Sequence, residues 1–276
     1  MKDVTWVIQS NLINMEQSTR VAQTARSLGA HVQEAIVVPF SDILGNEEDV
    51  SLLSGKVIPY GSTKLSRLAQ QKKWQGACFN DDTFRTSTWS RHRSDMLNQT
   101  PFTMKVKETP HFFKDEDPQK LWFIRPVCDL KEFSGTVAPT NEIIKWMQSV
   151  YSGNFSFSED TEVAISETKN ILTESRFFIV DNKVVDGSFY RQSGQLKSKH
   201  VSDQNYIRQV QDLANIWLPH ACCVMDIAQT DEGLKVIEFN TINSSGFYDH
   251  DIAHVVTAMT KWCQALPHIS PKAPKV

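Results

Sequence analysis

The sequence predicts an α/β lobe at the N-terminus followed by an α+β body that ends in an antiparallel sheet. Three observations predict it. Strand and helix signals alternate over the first hundred residues, strands come in pairs after that, and near the C-terminus two apolar strands flank a tight turn.

In chain order, Trp6 to Ile8 reads as a strand. Val21, Ala22, Ala25 and Leu28 then mark one face of a helix that closes at Gly29, a residue suited to a left-handed C-cap. Apolar runs at 35–38, ended by Pro39, and at 56–60, ended by Gly61, read as the next two strands, with a helix at 62–72. This βαβ order implies a parallel sheet. The polar, Pro-bounded stretch at 98–101 marks a boundary. Beyond it, 102–106 and 121–124 read as strands separated by a charged loop at 107–120. Thr140 is placed to cap a helix carrying Ile143, Ile144, Met147 and Val150 on one face, and 152–161 reads as a loop. Asp181-Asn182 between two apolar runs predicts a hairpin. Asp203 caps a helix with Ile207, Val210, Ala214 and Trp217 on its buried side, and a last amphipathic helix carries Ile252, Val255, Val256, Met259 and Trp262.

With 276 residues, 40% of them hydrophobic, 22% charged and a net charge of −3, the chain is neither disordered nor a polyelectrolyte, and a nucleic-acid coat protein would be basic. The cluster from Arg85 to Arg93 is broken by Ser, Thr and Trp and reads as a solvated helix face or loop. Five cysteines without C-x-x-C spacing imply neither a disulfide framework nor a zinc knuckle, so a reducing cytoplasm is expected. No export signal and no membrane span is read. His220, His250 and His254 match no zinc spacing and are read as capping or packing residues, as are Cys222 and Cys223.

The most informative stretch is 221–240. Strands at 222–228 and 234–239 are joined by Asp231-Glu232-Gly233, which suits a three-residue loop. With Glu232 at the turn centre, Asp226 faces Glu238 on one side of the sheet, and Asn240 lies on that side too. Opposed carboxylates repel, so something positive belongs between them. An all-oxygen set of Asp226, Glu238 and Asn240 suits magnesium; the alternative is pairing with buried lysine or arginine, or a protonated carboxyl.

A hard ion held by few protein oxygens completes its shell with phosphate oxygens, which directs attention to Arg125, Lys131 and Arg176 at strand ends, and to Arg191 past the hairpin. Each alone could simply be solvated. No Walker-type glycine loop and no G-x-G-x-x-G run is present, so phosphates would be gripped by side chains.

Phe123-Ile124-Arg125-Pro126 with Lys131 and Gly135, then 174–180 leading to Gly187 and Ser188, then Asp226 and 238–248, resemble in ordered succession the ATP-grasp superfamily. The likeness is to the clade marked by two arginines and one lysine, found in bacteria and phages, and Pro59-Tyr60-Gly61-Ser62 is similar to it as well. The Pro- and Lys-bearing tail at 269–276 reads as mobile. The resemblance implies an α/β N-terminal lobe (1–100) before an α+β ATP-grasp fold whose central (101–166) and C-terminal (167–268) lobes clasp ATP. It implies magnesium on Asp226, Glu238 and Asn240, and phosphate contacts from Arg125, Lys131 and Arg176, with Arg191 the fourth candidate from its place past the hairpin. Adenine would be read near Ser166 in the stretch 164–167, with Glu167 on the ribose. Arg125 stands where many relatives carry lysine.

The expected reaction is ligation of a carboxylate to an amine through an acyl phosphate, with Arg125, Lys131 and Arg176 as the catalytic cations and Asn243, Ser244 and Ser245 as substrate contacts. A kinase of a small molecule is the alternative within enzymes. A third reading is an ATP-binding module that modifies a macromolecule, docking through Trp74, Trp89 and the Arg85 to Arg93 cluster.

Overall fold

The computed structural model describes residues 3–39, 41–45, 50, 53–127, 133–149 and 157–267. Three sheets organise it. The first is parallel and three-stranded, in the order β2-β1-β3, built from β1 (Thr5–Gln9), β2 (His31–Ala35) and β3 (Val57–Tyr60). Between its first two strands runs α1 (Glu16–Ser27), which buries Val21, Ala22 and Ala25. It stops in a paired C-terminal motif: Gly29, at φ +77°, donates to Arg26 O and Ala30 donates to Ala25 O, satisfying two carbonyls the helix would leave open. After β3, α2 (Thr63–Gln71) begins at Ser62, whose hydroxyl accepts from the Leu65 N–H.

The second strand departs from expectation. Only its last residue, Ala35, is buried, as an edge strand allows, and the apolar run the sequence favours begins at that residue and continues beyond the strand. Downstream comes α3 (Thr86–His92), with Trp89 fully buried.

The second sheet is antiparallel, in the order β4-β7-β5-β6, from β4 (Phe102–Lys105), β5 (Leu121–Pro126), β6 (Thr136–Pro139) and β7 (Glu162–Glu167). The stretch predicted as a loop at 107–120 contains most of a 3-10 turn (Val106–Glu108) and a short helix, α4 (Thr109–Phe112). Phe113 is buried against Trp122, so burial of one aromatic orders a polar segment. Helix α5 (Thr140–Ser149) covers one face through Ile143 and Met147.

The third sheet is antiparallel and five-stranded, in the order β10-β9-β8-β11-β12, from β8 (Thr173–Val180), β9 (Lys183–Gln192), β10 (Gln195–His200), β11 (Cys223–Thr230) and β12 (Gly233–Asn240). The β8–β9 turn is Asp181-Asn182, both at positive φ, as the sequence predicts. Strand β10 was not predicted; its residues are all exposed and carry no apolar alternation.

Period-two alternation splits this sheet's residues. Phe177, Ile179, Cys223, Met225 and Ile227 enter one core with α6 (Gln204–Ile216), which Asp203 caps. On the other face, Phe178, Val180, Cys222 and Val224 join the parallel sheet and the final helix α7 (Ile252–Ala265) in a core shared between the first and last parts of the chain. Trp6 Nε1 donates to Thr260 Oγ1 across it at 3.0 Å. Further along that second face the next residues in the alternation are Arg176 and Asp226, so an apolar face turns charged at one step. No helix among the described residues is long and apolar enough to cross a membrane.

Candidate active site

The charged step is a transverse row across four strands: Ser188 faces Arg176, Arg176 faces Asp226, and Asp226 faces Glu238. The predicted Asp226–Glu238 pairing holds, but by another route. The turn is two residues, with Thr230 paired to Gly233, which alone would set Asp226 opposite Ile237. A bulge between Glu238 and Val236 adds one residue and brings Glu238 across instead.

Arg176 grips Asp226 through two bonds, Nε to Oδ1 at 2.8 Å and Nη2 to Oδ2 at 2.7 Å, and its Nη1 donates to Gly246 O. Arg125, at the end of β5, reaches Glu238 Oε2 at 2.7 Å and lies over the Trp89 ring. Asn240 Nδ2 donates to Glu238 Oε1 at 3.0 Å and to Asp226 Oδ2 at 3.4 Å. Both arginines, individually ambiguous in sequence, are therefore largely buried and engaged with carboxylates, the alternative weighed for the hairpin.

Burial raises the Asp226 carboxyl above its ordinary value, and the facing Glu238 adds to that against the pull of Arg176. Burial works against the charge of Arg176, but Asp226 outweighs it and holds the guanidinium above its usual range. The charge on Asp226 is thus costly even when paired with Arg176. Three side chains with oxygens converge there, and a half-turn of the Asn240 amide would point its Oδ1 where its Nδ2 now points. That donor set fits a hard divalent ion such as magnesium.

A cleft of roughly 570 Å³ opens over this row between the second and third sheets. Phe123, Val137, Ile171 and Ile237 supply apolar lining, and Glu167, Lys169, Glu174, Arg176, Arg191, Asp226 and Glu238 supply charge. Glu167, on the strand leading out of the second sheet, lies in the lining, while Ser166 pairs with Phe123 on β5 and is not part of it. Arg191 reaches Glu174 at 3.4 Å.

Sequence reasoning missed three residues. Tyr190 donates to Glu174 Oε2 at 2.8 Å and stacks on Tyr248, and Arg176 lies over the Tyr248 ring. Of these, Tyr190 and Glu174 share the parity of Ser188 and Arg176 along their strands, a signal available once those strands are paired. His250 backs the row: its Nδ1 accepts from the Tyr248 N–H and its Nε2 meets Arg176 O, and burial lowers its pKa to about 4, so the ring is neutral.

Several expectations are corrected. Asn243 and Ser245 do not face the cleft. Asn243 is buried, donating to Pro59 O and Gly76 O while accepting from the Cys78 N–H, and the Ser245 hydroxyl donates to Thr241 O. Their polar groups tie the loop after β12 to the first sheet, and Ser244 lies between them, half-buried. The proposed docking surface also fails: Trp74 and Trp89 are buried, and Arg93 is buried with Nε bonded to Asp95 at 2.8 Å. Lys131 and the tail at 269–276 lie outside the described residues.

The profile of the ATP-grasp domain, R2K clade family 3, matches residues 46–259. The chain belongs to that family. By family it is an ATP-grasp enzyme, and its fold is that of ATP-grasp ligases. The D-alanine–D-alanine ligase of Bacillus anthracis superposes with TM-score 0.62 at 9% identity, covering 95% of this chain and 97% of that one. VanG D-Ala:D-Ser ligase of Enterococcus faecalis gives 0.61 at 15% identity, with 95% and 99% covered. The ATP-grasp ligase PsnB, complexed with a minimal precursor, Mg and ADP, gives 0.54 at 13% identity, with 94% and 98% covered. No curated protein matches the chain by sequence.

Proposed function

We propose that this ATP-grasp chain is a magnesium-dependent ligase that joins a carboxylate to an amine through an acyl phosphate. The observation that carries the reading is the convergence of Arg176, Asp226 and Glu238 in the lining of a cleft between two antiparallel sheets, with Asn240 and Arg125 both bonded to Glu238. The four described cysteines are free thiols, which agrees with a cytoplasmic setting.

In this reading the adenine lies against Phe123, Val137, Ile171 and Ile237, with Glu167 toward the ribose. Magnesium held by Asp226, Glu238 and Asn240 would neutralise charge on the phosphates. Arg125 and Arg176 turn their remaining N–H donors to the phosphate oxygens, and Arg191 and Lys131 are assigned to the same charge. A carboxylate oxygen attacks the γ-phosphorus, and ADP leaves. The amine nitrogen then attacks the acyl carbon and expels phosphate, so the amide forms without a protein nucleophile. The arginines are fixed before reaction, so they stabilise the transferring group with little reorganisation. The ligases that share the fold are named for D-alanine and D-serine or are bound to a precursor, so amino acids and peptides are the first substrates to test.

The test is incubation with ATP, magnesium and pools of amino acids and peptides, followed by mass spectrometry. ADP, phosphate and a new amide in equal amounts are expected. A stable phosphorylated product in place of an amide would mean a kinase, and no ADP across a broad panel would remove the proposal.

A further inference from the structure

Four residues before Asp226, the same segment holds a second cluster. Cys78, His220 and Cys222 bring two sulfurs and one imidazole nitrogen within 4.8 Å of one another. Both cysteines are fully buried, while His220 is half-buried and gives the cluster a side toward solvent. None of the three lines the cleft.

The two cysteines sit on pinned backbone. Cys78 donates its N–H to Asn243 Oδ1 at 2.7 Å, and its carbonyl accepts from Thr241 Oγ1 at 3.2 Å. His220 Nδ1 lies 3.1 Å from Cys222 O in a short turn just before β11, and the tautomer that donates this bond leaves Nε2 open to a metal. Donors bound to zinc at about 2.0–2.3 Å in a tetrahedron stand roughly 3.5–4 Å apart, so a contraction of about 1 Å at most is required.

Two sulfurs and an imidazole form a soft set, unlike the all-oxygen row at Asp226, and select a different class of metal.

We propose that Cys78, His220 and Cys222 bind a zinc-class divalent ion, with water in the fourth position on the solvent side of His220. Binding of the two sulfurs as thiolates displaces their protons to solvent. The ion joins the segment after the first sheet to the start of β11, the strand that carries Asp226, so its role is structural.

The test uses the full chain, reduced and stripped of metal, titrated with cobalt(II) and then zinc(II). One equivalent of cobalt should give a thiolate-to-cobalt charge-transfer band that zinc bleaches and a large excess of magnesium leaves intact. Zinc should raise the Tm by several degrees. Cys222→Ser and His220→Ala should each weaken cobalt binding at least tenfold and reduce the zinc-induced shift. Absence of the band in the unaltered chain, or an unchanged band in Cys222→Ser, would overturn the proposal. The unaltered chain is the primary sample, so a variant that fails to fold does not decide the outcome.

Discussion

The two arginine–carboxylate pairs of the cleft differ in what they connect. Arg176 and Asp226 are neighbours on adjacent strands of one sheet, joined by two bonds, with the carboxylate side chain 2% exposed. Arg125 and Glu238 span two sheets through one contact, with side chains 10% and 25% exposed. The same chemistry is therefore part of a sheet's interior in one case and a latch across the cleft in the other. Which it becomes depends on where the strands lie, and a nucleotide entering the cleft is expected to part the latch and leave the interior pair in place.

The largest effect is expected from breaking the interior pair. Asp226→Ala leaves Arg176 buried beside no carboxylate of its own and should cost about 3–5 kcal/mol in urea unfolding, with ATP turnover lost as well. Acid attacks the support behind that pair. His250 is held neutral with its pKa lowered to about 4, against about 6.5 in an unfolded chain, so the unfolded state binds the proton first. Stability is full above pH 6.5 and falls as pH drops toward 4, by on the order of 3 kcal/mol. His250→Asn should flatten that slope in denaturation curves measured from pH 7 to 4.

The latch should behave differently. Arg125→Ala is expected to cost less, about 1.5–3 kcal/mol of stability, since Glu238 is 25% exposed and keeps its bond from Asn240. It should nevertheless raise KM for ATP at least tenfold and widen the cleft, seen as faster amide exchange around Glu238. If Arg125→Ala destabilises the chain as much as Asp226→Ala does, the distinction between latch and interior fails. Smallest is Tyr190→Phe, which removes one hydrogen bond to Glu174 and should cost roughly 0.5–1.5 kcal/mol.

Much of this was legible in the sequence, for identifiable reasons. The α1 terminus at Gly29, the Asp181-Asn182 turn and the helix capped by Asp203 follow from local rules, and the structure has them where those rules put them. The Asp226–Glu238 pairing was reached from an assumed three-residue turn, and the correct pair resulted because a bulge near Ile237 supplies the same offset. In β8–β9 the register also shifts, between Phe178 and Ile179, and counting back from the Asp181-Asn182 turn would have set Arg176 against Gly187 instead of Ser188. Bulges arise from contacts between strands, so composition does not announce them. Arg125 and Arg176 were ambiguous because burial of a charged side chain depends on a partner far away in sequence. Asn243 and Ser245 were misread because a polar loop that ties two sheets together has the same composition as one that meets substrate.

The most direct test measures ATP affinity by calorimetry with and without magnesium, in the unaltered chain and in Glu238→Gln and Asn240→Ala. Magnesium should tighten ATP binding about a hundredfold or more in the unaltered chain, and most of that gain should vanish in both variants while the fold persists. An equal gain in all three proteins would mean that the metal and its triphosphate are held elsewhere.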